Sequence, residues 1–370
     1  MNRRDWFRTT ALAGGALAVN SVPGFSGSWY TPHPLDDLSL DLARLCYNEN
    51  PYGPSKSARE AIMASFDIAH QYPFQYIQDF MKVLGDKHGV SPESIVVCGG
   101  SVEGLRAAGV AFCKPGGNLI TLDPTYLSMM TYVSKMGTEI INIPVDKNLD
   151  HDLEKMASAV NEKTGLVFVC NPNNPTGTYI PAAKLISFLD KVSPKVPVFV
   201  DEAYFDYVDA KDYQTMIDLV KKNYNIIVSR TFSKVYGLAG MRIGYLVAKP
   251  EMASILRDRV QASASIPALK AAEASLADSE FYEFSKKVNR EGREMISEAC
   301  TKLGLEFVKP QTNFVFFKTG VDIKEFNERM RNKNILVGRA FPPFNDWCRV
   351  STGKLTDVEM FVKALPQVLG

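Results

Sequence analysis

Lys234 stands just past an apolar strand, in the stretch SRTFSKVYGLAGMRIGY (residues 229 to 245), with glycines behind it and Arg242 eight residues on. Lysine is seldom buried without a partner or a task, so two readings are open: a solvated loop lysine, or a nucleophile and base held at the end of a strand. Its neighbours bear on the choice. The hydroxyls of Thr231 and Ser233, with Lys234 and Arg242, are what a phosphate joined to a carbonyl-bearing ring would require. Three other apolar runs end in polar groups. After VPVFV come Asp201 and, three residues later, Tyr204; a carboxylate there is costly unless it meets a cation or donor, and the hydroxyl can point at the same ligand. After LVFVC comes Asn171-Pro-Asn-Asn-Pro-Thr-Gly177, whose two prolines and glycine fix the backbone and so could aim the Asn174 amide, or could make only a structural turn. After SIVVC, Gly99-Gly100-Ser101-Val102 opens a helix whose free N–H groups favour a phosphate, unless the glycines serve turn geometry alone.

The elements that must hold these residues alternate along the chain. From Ser91 to about Ala248, seven short runs (SIVVCGG, NLITLD, EIINIPV, GLVFVCNP, VPVFVDEAY, NIIVSRT and RIGYLVA) are separated by helical stretches. Most are continuous apolar runs rather than alternating ones, which predicts strands buried on both faces of a largely parallel α/β sheet. In such sheets ligands bind at the carboxyl ends of the strands. The helix opened by Ser101 is expected to face the core with Val102, Leu105, Ala108 and Phe112. The last hundred residues differ: a long helix around Glu280 to Leu303, then strand candidates TNFVFFKTG, NILVGRAF and WCRVSTG with further helices, which together read as a small α+β domain. The expected division is a large α/β domain at 59–264 and a small domain of 29–58 with 265–370.

The whole chain narrows the function classes. With 46% hydrophobic and 22% charged residues in 370, it can bury one large core and a second, smaller one. A net charge of +1 suggests neither a nucleic-acid footprint nor a membrane-surface patch, which leaves a small molecule as the default ligand. The six cysteines form no C-x-x-C pair, and the four histidines fall in no ligand pattern, so no metal is expected. The N-terminus is built otherwise. MNRRDWFRTTALAGGALAVNS has paired Arg3 and Arg4, an Ala/Leu/Gly stretch too short to span a bilayer, and an A-x-A at Ala16 to Ala18. Residues 1–28 therefore read as a twin-arginine-type export signal, implying a periplasmic or exported protein; a basic tail on a cytoplasmic protein is the alternative.

Taken in order, NENPYGP, GGSVEGL, DPTY, NPNNPTG, DEAY and SKVYGLAGMRIGY resemble the fold-type I pyridoxal-phosphate aminotransferases, and among them the histidinol-phosphate aminotransferase-like branch, over nearly the whole chain after residue 40. That resemblance implies a mostly parallel seven-stranded sheet covered by helices, plus the small α+β domain. It implies pyridoxal 5'-phosphate as cofactor, amino acid and 2-oxo acid as substrates, and a homodimer with shared sites. By the same resemblance Lys234 bonds covalently to the cofactor and then serves as acid and base. Asp201 pairs with its ring nitrogen, Asn174 and Tyr204 meet its ring oxygen, and Tyr126 stacks on the ring. Ser101, Val102, Thr231, Ser233 and Arg242 hold the phosphate, and Tyr72 reaches the phosphate of a neighbouring subunit. Arg349 takes the substrate α-carboxylate, and Arg339 acts on the far end of the substrate.

Two stretches depart from the histidinol-phosphate pattern. SWYTPHPLDDLSL lacks the family's Leu-x-Pro-Tyr, and ILVGRAFPPF has Gly338 ahead of Arg339 where the family runs from valine directly to arginine. Tyr52, Phe341, Phe344 and Trp347 are then candidates for an aromatic pocket, or for plain core. Aminotransfer is the leading function. A decarboxylase or lyase on the same scaffold is the near alternative, and a non-catalytic cofactor-binding regulator is the alternative of another class.

Overall fold

A computed structural model describes residues 42–369; the proposed signal at 1–28 and the stretch 29–41 lie outside the described residues. Seven strands make the main sheet: β2 (Ile95–Cys98), β3 (Asn118–Asp123), β4 (Glu139–Pro144), β5 (Thr164–Cys170), β6 (Val198–Asp201), β7 (Ile226–Thr231) and β8 (Gly244–Ala248). Their order is β2-β8-β7-β6-β5-β3-β4, parallel except that β8 runs antiparallel to both β2 and β7. Branched and aromatic residues suit these strands because alternate side chains bury on opposite faces. Val167, Val169, Val198, Val200 and Val228 pack on one face, and Leu166, Phe168, Phe199 and Ile227 on the other. β4, at one edge of the sheet, is the exception to burial on both faces: only Ile143 is buried there, whereas β2 at the other edge is buried throughout.

The helix after β2 also differs from its expected orientation. In Ser101–Phe112, Leu105 and Ala108 are buried with Gly104 and Gly109, while Val102 and Phe112 are only half-buried. The two glycines explain the rotation, because a Cβ at 104 would stand 2.7 Å from Leu246 and one at 109 would stand 2.6 Å from Val133. The helix turns Gly104 toward Leu246 of β8 and Gly109 toward Val133 of the helix Ser128–Ser134, which leaves Val102 half-buried.

The remaining strands form two small pairs. β1 (Ala43–Arg44) lies parallel to β10 (Ile335–Leu336), and β9 (Phe314–Lys318) antiparallel to β11 (Trp347–Ser351). A separate apolar cluster joins them: Leu45, Ile296, Phe317, Phe326, Val350 and Phe361, each worth roughly 1.5–3 kcal/mol when fully buried. The 24-residue helix Ser279–Lys302 begins on the Asp278 carboxylate, which accepts the Phe281 N–H at 3.0 Å, satisfying one of the helix's free donors. NILVGRAF yields strand only at Ile335–Leu336, although the Gly338 N–H still donates to the Arg349 carbonyl at 2.9 Å. Any side chain at 338 would collide with that carbonyl. All six cysteines are buried free thiols, and no described helix is long and apolar enough to cross a membrane.

Candidate active site

The sheet register brings its polar ends to one edge. Cys170 pairs with Asp201 and Asp201 with Ser229; Thr231 pairs with Gly244 and Gly244 with Cys98. Because β8 is antiparallel, it begins at this edge while β2, β5, β6 and β7 end there. Asp201 is 2% exposed, and its carboxylate accepts from the Ser229 hydroxyl at 2.5 Å and from the Ala203 N–H. No cation pairs with it among the described residues, and burial pushes its carboxyl up to about 6. This is a carboxylate held ready for a protonated partner.

Lys234 lies in the turn after β7. Its ammonium donates to the Asn48 carbonyl at 2.9 Å and lies 5.4 Å from the centre of the Tyr204 ring. Burial, with the Arg349 guanidinium next, holds it down to about 8, so its neutral form becomes accessible near physiological pH. The turn is fixed by a backbone-to-backbone contact: Gly237 (φ +66°) meets Gly53 so closely that a Cβ at 53 would be 2.7 Å from the Gly237 Cα. Asn50 adds a hydrogen bond to the Val235 carbonyl at 2.8 Å.

Tyr204 is buried, and its hydroxyl accepts from the amides of Asn48 at 2.9 Å and Asn174 at 3.3 Å. Asn174 in turn accepts from Arg349 Nη1 at 2.7 Å, while Arg349 Nη2 donates to the Cys46 carbonyl at 2.8 Å. Among the described residues Arg349 Nε is buried without a partner, a donor left open for an incoming acceptor. Tyr126 is half-buried beside them, its phenol pushed up by burial and then by the Asp201 charge.

A second set of polar groups lies farther along the edge. Gly100 (φ +80°) precedes Ser101 without a side-chain cap, and a Cβ at 100 would stand 2.5 Å from Arg242 Nη2. Gly244 is equally tight, with the Ser101 N–H 2.7 Å from its would-be Cβ. Thr231 and Ser233 bond to one another at 3.0 Å between hydroxyl oxygens. The Ser101 N–H, the Arg242 guanidinium and the Thr231 and Ser233 hydroxyls therefore gather around Gly100 and Gly244, with Val102 next on the helix, although Arg242 also donates to the Ala239 carbonyl at 2.8 Å; such a donor set suits a phosphate. Together with the uncompensated Asp201 and the depressed Lys234, the donor set fits pyridoxal 5'-phosphate.

Tyr72 and Arg339 stand apart from this group. Tyr72 is 82% exposed and stacks only on Phe74. Arg339 donates to the neighbouring Ala340 carbonyl at 2.7 Å, lies 4.3 Å over the Phe341 ring, and pairs with no carboxylate among the described residues. Phe341 also takes the Arg349 guanidinium at 4.9 Å. Of the four aromatic pocket candidates, it alone touches both arginines. Trp347 and Phe344 pack instead around Phe316, and Tyr52 spends its hydroxyl accepting the Leu355 N–H at 3.0 Å.

Several participants were not read from the sequence. Glu103 accepts the Gly99 N–H at 2.5 Å and the Gln261 and Ala262 N–H groups at 3.1 and 3.0 Å, which fixes the Gly99-Gly100 turn. Glu202 and Arg230 make a buried ion pair at 2.9 Å beneath Asp201 and Thr231, with Arg230 3.6 Å over the Phe205 ring. Breaking such a pair leaves a buried charge, at about 3–5 kcal/mol. Asn48 sits inside NENPYGP, but nothing in the motif says which of its atoms face the site.

Comparison with known proteins follows the same lines. The family model for aminotransferase class I and II matches residues 41–365. The histidinol-phosphate aminotransferase of Moorella thermoacetica is 37% identical over 333 residues, covering 89% of this chain and 86% of its own. Histidinol-phosphate aminotransferase 1 of Cupriavidus pinatubonensis is 36% identical over 334 residues, covering 89% and 88%. Among solved structures, histidinol-phosphate aminotransferase from Sinorhizobium meliloti in complex with pyridoxal-5'-phosphate aligns with a TM-score of 0.85 at 26% identity, over 95% of this chain and 99% of that one.

Proposed function

The chain belongs to the class I and II aminotransferases, and from that membership we propose how its own residues divide the work and which substrates they favour. It is a pyridoxal-phosphate-dependent aminotransferase that moves an amino group between an amino donor and a 2-oxo acid. When bound, the cofactor supplies an electrophilic carbonyl and an electron-accepting ring. Lys234 would be the point of covalent attachment, and once the donor's amine has displaced it, its freed Nζ would take the proton from the donor's α-carbon. Asp201 holds a proton on the ring nitrogen; Tyr204 and Asn174 donate to the ring oxygen, and Tyr126 covers the ring face. Ser101, Val102, Thr231, Ser233 and Arg242 hold the phosphate. The observation that carries this assignment is the buried Asp201 carboxylate with no cation of its own, at the same sheet edge as a lysine held down to about 8.

Arg349 takes the α-carboxylate, supported by its open Nε and by Asn174 and Cys46, which hold the fork in place. Arg339, without a carboxylate and one ring away across Phe341, meets the substrate's distal end, so donors with an anionic tail are favoured, histidinol phosphate-like amines among them. Kinetics on a panel of donors against 2-oxoglutarate and pyruvate test this. Arg349→Ala weakens every α-amino acid alike, whereas Arg339→Ala penalises anionic-tailed donors by roughly 2–3 kcal/mol and spares apolar ones. A kcat/KM that falls equally for all donors, or not at all, makes Arg339 structural.

The reading extends to assembly, organisation and location. The exposed Met63, Phe66, Tyr72 and Phe74 lie within 12 residues, an apolar patch suited to a second copy of the chain, with Tyr72 completing the phosphate site of the other copy. The proposed division keeps the cofactor on the large part, 59–264, and the substrate side on the small part, 29–58 with 265–370; among the described residues a second core of Ala43, Leu45 and side chains from 296 to 368 supports it, while Ala268, Leu269, Ala271 and Ala272 pack with the larger core. Export by the twin-arginine route is supported by Arg3, Arg4 and the A-x-A motif.

A further inference from the structure

Asn48 is 1% exposed, has a left-handed backbone (φ +57°), and takes part in five hydrogen bonds. Its carbonyl accepts from Lys234 Nζ and from Asn313 Nδ2, each at 2.9 Å. Its N–H donates to Ser351 Oγ at 2.8 Å, and its Oδ1 lies 2.9 Å from the same hydroxyl. Its Nδ2 donates to the Tyr204 hydroxyl at 2.9 Å.

The proton directions follow from how the amide is placed. The Ser351 hydroxyl receives the Asn48 N–H and donates to Asn48 Oδ1, so the amide oxygen lies on that side and the NH2 toward Tyr204. Tyr204 then accepts from two amides, those of Asn48 and Asn174. A phenolic oxygen has two lone pairs and one proton; with both lone pairs met by donors, the proton points away from both amides. None of the side chains or carbonyls described here receives it.

We infer that Asn48 is a positioning residue that fixes two protons at once, the Tyr204 hydroxyl proton through its side-chain amide and the Lys234 ammonium through its carbonyl, with Ser351 locking the amide's orientation. The inference rests on the proposed site of the cofactor beside Tyr204. Ser351 lies two residues beyond Arg349 on β11, so the strand that carries the substrate-binding arginine also sets the direction of the Tyr204 proton.

The left-handed backbone makes the test clean. Glycine adopts that conformation without strain, so Asn48→Gly keeps the carbonyl under Lys234 and removes only the amide. Two readouts separate the roles. In the cofactor-free chain, the pH midpoint of Lys234, read by carbon-13 NMR after reductive methylation, stays in place in Asn48→Gly. In the chain loaded with pyridoxal phosphate, the pH midpoint of the visible band rises by about one pH unit, because a hydroxyl donating toward the cofactor draws off negative charge that otherwise retains a proton. Tyr204→Phe raises it likewise, the double variant rises no further than Tyr204→Phe alone, and Ser351→Ala gives a smaller rise in the same direction. The inference is overturned by an unmoved band in Asn48→Gly, by additive shifts in the double variant, or by a Lys234 midpoint that moves as well, which would mean that the whole loop had shifted. Absence of any visible band from the loaded wild-type chain would instead sink the functional reading beneath it.

Discussion

Replacing Asp201 by asparagine separates what the site costs the fold from what it supplies to the cofactor. The carboxyl is raised from 3.8 to about 6 by burial, so the protonated form is the one the fold prefers. Its contribution to stability is fully present below the ordinary aspartate range and is lost as the pH rises through about 6. At 1.36 kcal/mol per pH unit, the ionised carboxylate costs the cofactor-free chain about 3 kcal/mol at neutral pH. Asparagine removes that charge and can still accept from Ser229 and Ala203, but it brings an NH2 group with no partner, at about 1–2 kcal/mol. Above pH 7 the cofactor-free Asp201→Asn chain should therefore be more stable than wild type by about 1–2 kcal/mol. Below pH 4 it should be the less stable of the two. Urea unfolding of both chains across this range measures the difference, in which every other carboxylate cancels. Loading with pyridoxal phosphate should invert the sign at neutral pH, because the charge then meets a protonated ring nitrogen, and transamination by the variant should fall on the order of 10²-fold. A stability difference independent of pH, or a variant less stable throughout, would refute the reasoning that Asp201 is an uncompensated buried charge.

Other expectations address the lysine, the assembly and the N-terminus. With Lys234 held down to about 8, the rate of covalent cofactor capture by the cofactor-free chain should rise about tenfold per pH unit up to that value and then level off; stopped-flow absorbance measures it, and borohydride reduction with peptide mapping should find the adduct on Lys234, a different lysine being fatal to the assignment. The wild-type chain should sediment as a dimer and Met63→Asp with Phe66→Asp as a monomer, whereas a wild type already monomeric removes the shared-site proposal. In the original host, N-terminal sequencing should find residues 1 to about 28 missing, cleaved near Ala18 or shortly after; an intact Met1 in the cytoplasmic fraction would leave Arg3 and Arg4 as a basic tail.

What could be read in advance follows from which physical signals are local. The strands were legible because runs such as LVFVC and VPVFV are nearly continuous in apolar residues and are stopped by polar residues or turns. Those stops are also the site, which is why Asp201, Asn174 and Lys234 stand out in one dimension. Strand order was not legible: the antiparallel insertion of β8 between β2 and β7 depends on long-range pairing, and RIGYLVA has nothing that reveals direction. Helix facing failed at Val102 because two glycines, which carry no hydrophobic signal, decide how closely Ser101–Phe112 approaches Leu246 and Val133. Asn48 and Ser351 are 303 residues apart, and the ion pair of Glu202 with Arg230 spans 28; no spacing rule connects them, and only packing does. Arg339 was identified by residue type and position alone, and its place across Phe341 from Arg349 emerged only with the fold.

The β7–β8 hairpin has a consequence for how such an enzyme changes over time. Residues 226 to 248 form one contiguous piece of chain that bears Thr231, Ser233, Lys234 and Arg242, so the covalent anchor and most side chains proposed for the phosphate are inherited together. The groups proposed to face the donor, Arg339, Phe341 and Arg349, lie elsewhere, between β10 and the end of β11. Recombination between relatives with a crossover anywhere from 249 to about 332 therefore exchanges the preference for an amino donor without cutting the segment that captures the cofactor, and a chimera carrying residues 333–345 of a relative changes Arg339 and Phe341 while leaving Arg349 and Ser351 in place.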